Sequence, residues 1–231
     1  MIALIPARAG SQRLPGKNLR PLAGHPLLAY AIVTAQRAHS VSRVIVSTED
    51  DEIAGVAVGY GAEVIERTPI YADHDSPDID WVREVVVEAH AEHYALLRCT
   101  SPFRTSETIE RAHRRFLEAR CDSLRAVELV EQHPGKMWWY LSSQRMVPLH
   151  PAWEGWSRPT QTLPPIYIQN ASLEIFHRDT ILKLGTLSGH DVCPFVCPPP
   201  EGYDLNTMKD WAYAERMVAS GAWSLPALED N

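Results

Sequence analysis

From Ile5 to Asn18 the chain reads Ile-Pro-Ala-Arg-Ala-Gly-Ser-Gln-Arg-Leu-Pro-Gly-Lys-Asn. Arg8, Arg13 and Lys17 bring three positive charges within ten residues. Ala9, Gly10 and Ser11 are small enough to let backbone N–H groups approach the oxygens of an anion. The combination is suited to cradling phosphate. It is not the Gly-x-x-x-x-Gly-Lys-Ser/Thr loop, because Asn18 follows Lys17 where a hydroxyl is required, and Gly10 and Gly16 stand in the wrong register for a Gly-x-Gly-x-x-Gly fingerprint. The competing reading is a solvated basic turn.

A phosphate loop needs an element to hold it, and the residues before it supply one. Ile2–Pro6 is a short apolar run that reads as a buried strand; in an open α/β sheet the loop leaving such a strand opens into the ligand crevice. Beyond it, short β-branched runs alternate with helical patterns. Helices are expected over Pro26–His39, Asp50–Tyr60, Asp78–His93 and Thr105–Arg120. Strands are expected over Arg43–Ser47, Ala62–Ile65, Tyr94–Cys99 and Ser123–Val130. Asp50 and the Thr105/Thr108 pair stand where helix caps belong. The acidic run Asp73, Asp75, Asp78 and Asp80 reads as a cap on the helix that follows it. The alternation predicts an α/β fold, a mainly parallel Rossmann-like sheet with helices on both faces.

From 131 to 165 the grammar changes to a Pro-, Trp- and Gln-rich segment containing Met137-Trp138-Trp139-Tyr140 and Trp153-Glu154-Gly155-Trp156. This reads as an insertion within one domain spanning 1–231, serving either as a flap over the core or as a subunit contact. Regular structure resumes with strands at Ser172–Phe176 and Val192–Val196, a short helix at Asp179–Gly185 and a closing helix at Thr207–Gly221.

Composition narrows the class. The 231 residues are enough for one sizeable core, and a formal net charge of -7 argues against a general nucleic-acid binder, whose affinity comes from clustered Lys and Arg. No run approaches membrane-spanning length. Four cysteines are too sparse for a disulfide scaffold, so the expected compartment is cytoplasmic. Cys193, Cys197 and His190 match no zinc spacing, and His25, His74 and His133 read as exposed loop residues.

The loop Ala7-Arg8-Ala9-Gly10-Ser11-Gln12-Arg13-Leu14-Pro15-Gly16-Lys17-Asn18 resembles that of the acylneuraminate cytidylyltransferase family, the CMP-sialic acid synthetases and their relatives acting on other nonulosonic acids. Ser-x-Arg-Leu-Pro-Gly-Lys is also shared with the CMP-KDO synthetases. The resemblance continues through Val44–Asp50, Gly61–Val64 with Arg67, Thr100-Ser101-Pro102-Phe103-Arg104, Ile168–Ser172 and Tyr203-Asp204-Leu205-Asn206. It implies a fold of the nucleotide-diphospho-sugar transferase type, with an inserted dimerisation segment at 131–165 in a homodimer. The implied reaction couples CTP to a sugar acid, giving a CMP-sugar and pyrophosphate with Mg²⁺ as cofactor.

Carried over residue by residue, Arg8 and Lys17 contact the triphosphate, Ser11 donates to it and Arg13 assists. Ala7, Gly10, Gln12 and Asn18 belong to the same nucleotide site, and Arg67 and Ser76 are candidates near the base. Asp204 and Asn206 fall on the metal motif, although Asp204 could instead belong to the cap of the closing helix. Arg98, Thr100 and Asn170 fall on the acceptor side. Three positions depart from the family. Gln12 replaces a lysine, Asn206 replaces the second metal-binding aspartate, and Arg98 replaces a glutamine, which suggests an arginine able to grip a sugar carboxylate. The alternatives left open are a transferase using GTP or UTP or another sugar, and a catalytically weak nucleotide-binding protein.

Overall fold

The computed structural model describes residues 1–73, 75–151 and 155–228. Seven strands form its main sheet: β1 (Ile2–Pro6), β4 (Arg43–Thr48), β5 (Glu63–Glu66), β6 (His93–Leu97), β7 (Ser123–Leu129), β10 (Tyr167–His177) and β11 (Val192–Val196), ordered β11-β7-β10-β6-β1-β4-β5. All neighbours pair in parallel except β10, which runs antiparallel to both β6 and β7. The mainly parallel sheet expected from the alternation is therefore present, with one strand reversed.

Period-two alternation sends successive residues to opposite faces. Ala3 and Ile5 of β1 join Leu27 and Ile32 of α1 (Leu27–Gln36), Ile53 of α2 (Asp51–Gly59), Phe116 of α4 (Ser106–Ala119) and Trp211 of α6 (Met208–Ala219). Ile2 and Leu4 join Trp81 and Val85 of α3 (Asp78–Glu88) and Ile181 of α5 (Arg178–Leu182) on the other face. Strands buried on both faces explain why β1 and β4 read as continuous apolar runs. The expected caps hold: Asp50 accepts from the Ile53 amide at 2.8 Å, and Thr105 and Thr108 form a reciprocal capping box on α4.

Four expectations are corrected. The insertion is not irregular throughout: within it β8 (Trp138–Ser142) and β9 (Arg145–Pro148) form an antiparallel hairpin, and the strand expected from Ser172 begins at Tyr167 as β10, with a register shift between Gln169 and Glu174. A small ladder of β2 (Pro21–Leu22) and β3 (His25–Pro26), turned at Ala23-Gly24 with φ of 47° and 92°, precedes α1. His133 is buried. Its Nδ1 accepts from the Gly135 amide at 2.9 Å and its Nε2 lies 2.9 Å from the Pro164 carbonyl, so the Nε2–H tautomer satisfies both. The acidic run does not cap α3 through Asp78: the N-cap is Pro77, with no side-chain cap bond. His25 is half-buried with Nδ1 3.2 Å from the Tyr60 hydroxyl. His74, Trp153 and Glu154 lie outside the described residues.

Candidate functional site

Beyond the carboxyl ends of β1, β4 and β6 lies a cavity of about 560 Å³. Its lining carries Arg8, Arg13, Lys17, Arg67 and Arg98 against the carboxylates of Asp78 and Asp204. A local cationic excess inside an acidic protein selects a polyanion. Ser11, Gln12, Asn18, Ser76, Thr100 and Asn206 complete the sequence-predicted residues on this wall. Ala7 and Gly10 do not line it.

The loop is held by its own amides, which changes how it can bind. The Ala7 methyl is fully buried and its N–H donates to the Ser47 carbonyl at 3.0 Å, so Ala7 offers the cavity neither side chain nor amide. The Ala9 amide is taken by Glu49 Oε1 at 2.8 Å and the Ser11 amide by the Ala9 carbonyl at 2.8 Å. Buried Asn18 donates Nδ2 to the Arg8 carbonyl at 3.0 Å, and buried Leu14 anchors the far side in the core. Gly16 takes φ of +66°, a region open to glycine without strain, and so returns the chain towards Lys17. With those amides spent, the loop turns charged side chains to the cavity. Burial pulls the Lys17 pKa below its ordinary value, and Asp204 opposes that shift.

Arg67 is buried, which excludes a surface charge. It donates from Nε to Ser47 Oγ at 3.1 Å and from a terminal nitrogen to the Ser47 carbonyl at 3.2 Å, and its guanidinium lies 4.7 Å from the Trp81 ring centroid. Burial lowers its pKa, with the charge of Asp78 acting the other way. Trp81 in turn donates Nε1 to Asp78 Oδ1 at 2.9 Å. Ser76 is tied to the Ile70 carbonyl through its hydroxyl at 2.9 Å.

A second cavity of about 420 Å³ shares Arg98, Asp204 and Asn206 with the first and adds Glu128, Gln169, Asn170 and Tyr203. Three ties fix its walls. Fully buried Arg104 donates to the carbonyls of Ser172 and, at 3.2 Å, Arg98. Ser172 Oγ donates to the Glu201 carbonyl at 3.0 Å, and the Leu205 amide to the Thr100 carbonyl at 2.8 Å. Gly202 packs so closely on Asn170 that an added Cβ would lie 2.5 Å from its Nδ2 and would force the amide to shift. Asn170 Oδ1 accepts from the Ser172 amide at 3.2 Å, with Nδ2 3.5 Å from Glu128 Oε2. Burial raises the Glu128 pKa; Asn170 opposes the rise, and nearby Asp204 and Glu131 add to it.

Asp204 does not cap α6: Thr207 accepts from the Asp210 amide and forms a capping box with it. Asp204 Oδ2 accepts from Asn206 Nδ2, whereas Oδ1 is buried with no hydrogen-bond partner. An orphaned carboxylate oxygen between two cavities fits a hard divalent cation. Among the described residues no group of three or more His, Cys, Asp or Glu gathers to hold one, so phosphate and water would complete its shell. Asn206 donates through its amide nitrogen and so orients Asp204, which leaves its amide oxygen as a candidate second ligand.

Sequence reasoning missed Asp78, Glu128, Tyr71 and Arg104. Asp78 was masked by its place in an acidic run at a helix start. Glu128 lies in a segment that reads as ordinary strand, and Arg104 closes the Thr100–Arg104 stretch of the resemblance, where its type alone gives it no role.

A family model described as cytidylyltransferase matches residues 2–182. A relative named CMP-N,N'-diacetyllegionaminic acid synthase, from Legionella pneumophila, is 33% identical over 242 residues, covering 94% of this chain and 96% of that protein. An N-acylneuraminate cytidylyltransferase of Streptococcus agalactiae is 28% identical over 79% of this chain, a match that spans 44% of that protein's own length. In fold, a solved CMP:2-keto-3-deoxy-manno-octonic acid synthetase complexed with CTP aligns with a TM-score of 0.70 at 16% identity, covering 95% of this chain and 98% of that one. Among the described residues no helix is long and apolar enough to cross a membrane.

Proposed function

The chain belongs to the cytidylyltransferase family, and from that premise we propose that it transfers the cytidylyl group of CTP to a nonulosonic sugar acid with release of pyrophosphate. The observation that carries this reading is the pair of joined cavities, one lined by an excess of cations and the other by polar groups, meeting at Asp204. In the reaction a sugar hydroxyl oxygen attacks the α-phosphorus, an O–P bond forms, the bond to the bridging oxygen of pyrophosphate breaks, and the hydroxyl proton leaves to solvent or a nearby carboxylate. Little covalent chemistry falls to the protein; placement and neutralisation of developing charge do the catalysis.

Arg8, Arg13 and Lys17 face the triphosphate and hold its charge, with the Ser11 hydroxyl as donor. Lys17 is partly desolvated by burial, so its charge acts there with reduced screening. Arg67, stacked on Trp81, forms the wall next to the nucleoside, together with Ser76. Asp204 would hold Mg²⁺, which when bound neutralises charge on the phosphates, and Asn206 orients that carboxylate. Asn170 and Arg98 face the sugar acid, with Thr100 at the junction. The exposed apolar hairpin β8–β9 is the surface we assign to a homodimer, and the compartment we assign is the cytoplasm.

The test is thermal-shift titration with CTP, UTP, GTP and ATP, each with and without Mg²⁺, followed by pyrophosphate release with sugar acids. A selective, Mg²⁺-enhanced shift with CTP is expected. Selectivity for another base keeps the fold and replaces the substrate, while no shift with any nucleotide refutes the reading.

A further inference from the structure

Four charged side chains from four elements form a continuous chain that reaches the cavity walls at Asp78 and Arg98 and runs behind them through Glu174 and Arg125. Arg98 donates from a terminal nitrogen to Asp78 Oδ2 at 2.6 Å, and the same nitrogen lies 3.5 Å from Glu174 Oε1. Glu174, 4% exposed on β10, places its other oxygen 2.9 Å from Arg125, which donates onward to Ser188 Oγ at 2.7 Å. The two cations and two carboxylates balance, and both contacts of Arg98 fall on one nitrogen of its fork. Arg98 lines both cavities. Burial would lower the Arg98 pKa, but Asp78 and Glu174 outweigh it and hold it above the ordinary value.

An arginine already countered by two carboxylates is a poor receptor for a third, since the incoming anion meets the repulsion of both at short range. It remains a good donor to an uncharged acceptor, held in one orientation. The carboxylates around it, including Glu128 on the same cavity, can accept an N–H. A donor flanked by acceptors is the complement of an acylamino group, which carries one carbonyl and one N–H.

Resting on the cytidylyltransferase reading above, we propose that Glu174 and Asp78 are positioning residues that fix Arg98 to recognise an acylamino substituent of the sugar acid, so that this network sets acceptor specificity while the sugar carboxylate is bound elsewhere.

The test uses the full chain with CTP and Mg²⁺ and follows pyrophosphate release from three acceptors: N,N'-diacetyllegionaminic acid, N-acetylneuraminic acid, and the analogue of the latter with hydroxyl in place of acetamido. Glu174→Gln should raise KM for the acetamido acceptors about tenfold or more, the scale of a lost charge-assisted hydrogen bond. It should leave KM for CTP unchanged within about twofold and reduce the preference for acetamido over hydroxyl. Glu174→Asp, which keeps the charge, should recover most of that preference. Equal losses on all acceptors, or a KM for CTP that rises in step, overturn the proposal. Should Glu174→Gln melt too low to assay, Arg98→Gln is compared on the same acceptors with the same criteria. Failure of the wild-type chain to release pyrophosphate with any of the three defeats the activity reading and the proposal with it, whereas turnover without a shift in preference defeats the network alone.

Discussion

Asn206→Asp introduces a second carboxylate beside Asp204, and its outcome separates a metal site from a structural turn. In the chain as it stands, Asn206 Nδ2 donates to Asp204 Oδ2, and Asp204 Oδ1 is buried without a partner. The substitution removes a charge-assisted hydrogen bond worth about 1.5–3 kcal/mol. It also sets two carboxylates roughly 4 Å apart, a repulsion of about 4 kcal/mol at an effective dielectric near 20. The two contributions are not additive, because the side chains can separate and the pair can take up a proton, so a net loss of about 3 kcal/mol is expected without metal. At roughly 2–4 °C per kcal/mol for a domain of this size, the melting temperature in EDTA should fall by about 6–12 °C. Millimolar Mg²⁺ should return most of that loss, and should do so at lower concentration than it affects the wild type, because two carboxylates now converge on the ion. The assay is a thermal melt of both proteins across a Mg²⁺ titration, with and without CTP. A variant that melts with the wild type in EDTA and shows no added response to Mg²⁺ refutes the assignment of Asp204 as a metal ligand.

Two further outcomes follow from the same geometry. On the β8–β9 hairpin, Trp139 is 58% and Tyr140 75% exposed; sedimentation should find a dimer for the wild type and a monomer for Trp139→Lys/Tyr140→Lys, and a monomeric wild type at micromolar concentration removes the proposed interface. Burial alone would raise the Asp78 pKa, but Arg98, the Trp81 hydrogen bond and Arg67 together hold it below the ordinary 3.8. Because the folded value is the lower one, the stability Asp78 contributes is complete above 3.8 and is lost as pH falls through that folded value. The melting-temperature gap between wild type and Asp78→Asn should therefore be constant near neutral pH and close under acid, and a gap that persists unchanged to low pH contradicts the ion-pair account.

Local rules carried the reading of the sequence as far as local physics reaches. Strands β1, β4 and β6 were legible because both of their faces are buried and their apolar runs are short and bounded. The caps at Asp50 and Thr105 were legible because an N-cap bond spans only three residues. The reversed strand β10 was underestimated: Tyr167 and Ile168 are exposed and follow two prolines, so nothing in their neighbourhood signals that they pair with Leu129 and Glu128. The hairpin was missed for a related reason, since all of β8 is exposed and no buried face imposes alternation. The phosphate loop was recognised from its charges, but the commitment of its amides to Ser47, Glu49 and Ala9 depends on β4 and its turn lying alongside.

The Arg98 network shows where that reach ends. Residue type alone made Arg98 a free cation suited to a carboxylate, and Asp78 one acid among several at a helix start. Folding brings residues 78, 98, 125 and 174 together from α3, the turn after β6, β7 and β10, and each then cancels what the others offered separately. The consequence is a division of labour between the two cavities. On the proposed nucleotide side Arg8, Arg13 and Lys17 leave the wall with an excess of positive charge for a polyphosphate. On the sugar side a balanced network can discriminate between neutral substituents, because a donor whose charge is countered binds by geometry, and geometry distinguishes an amide from a hydroxyl where net charge cannot.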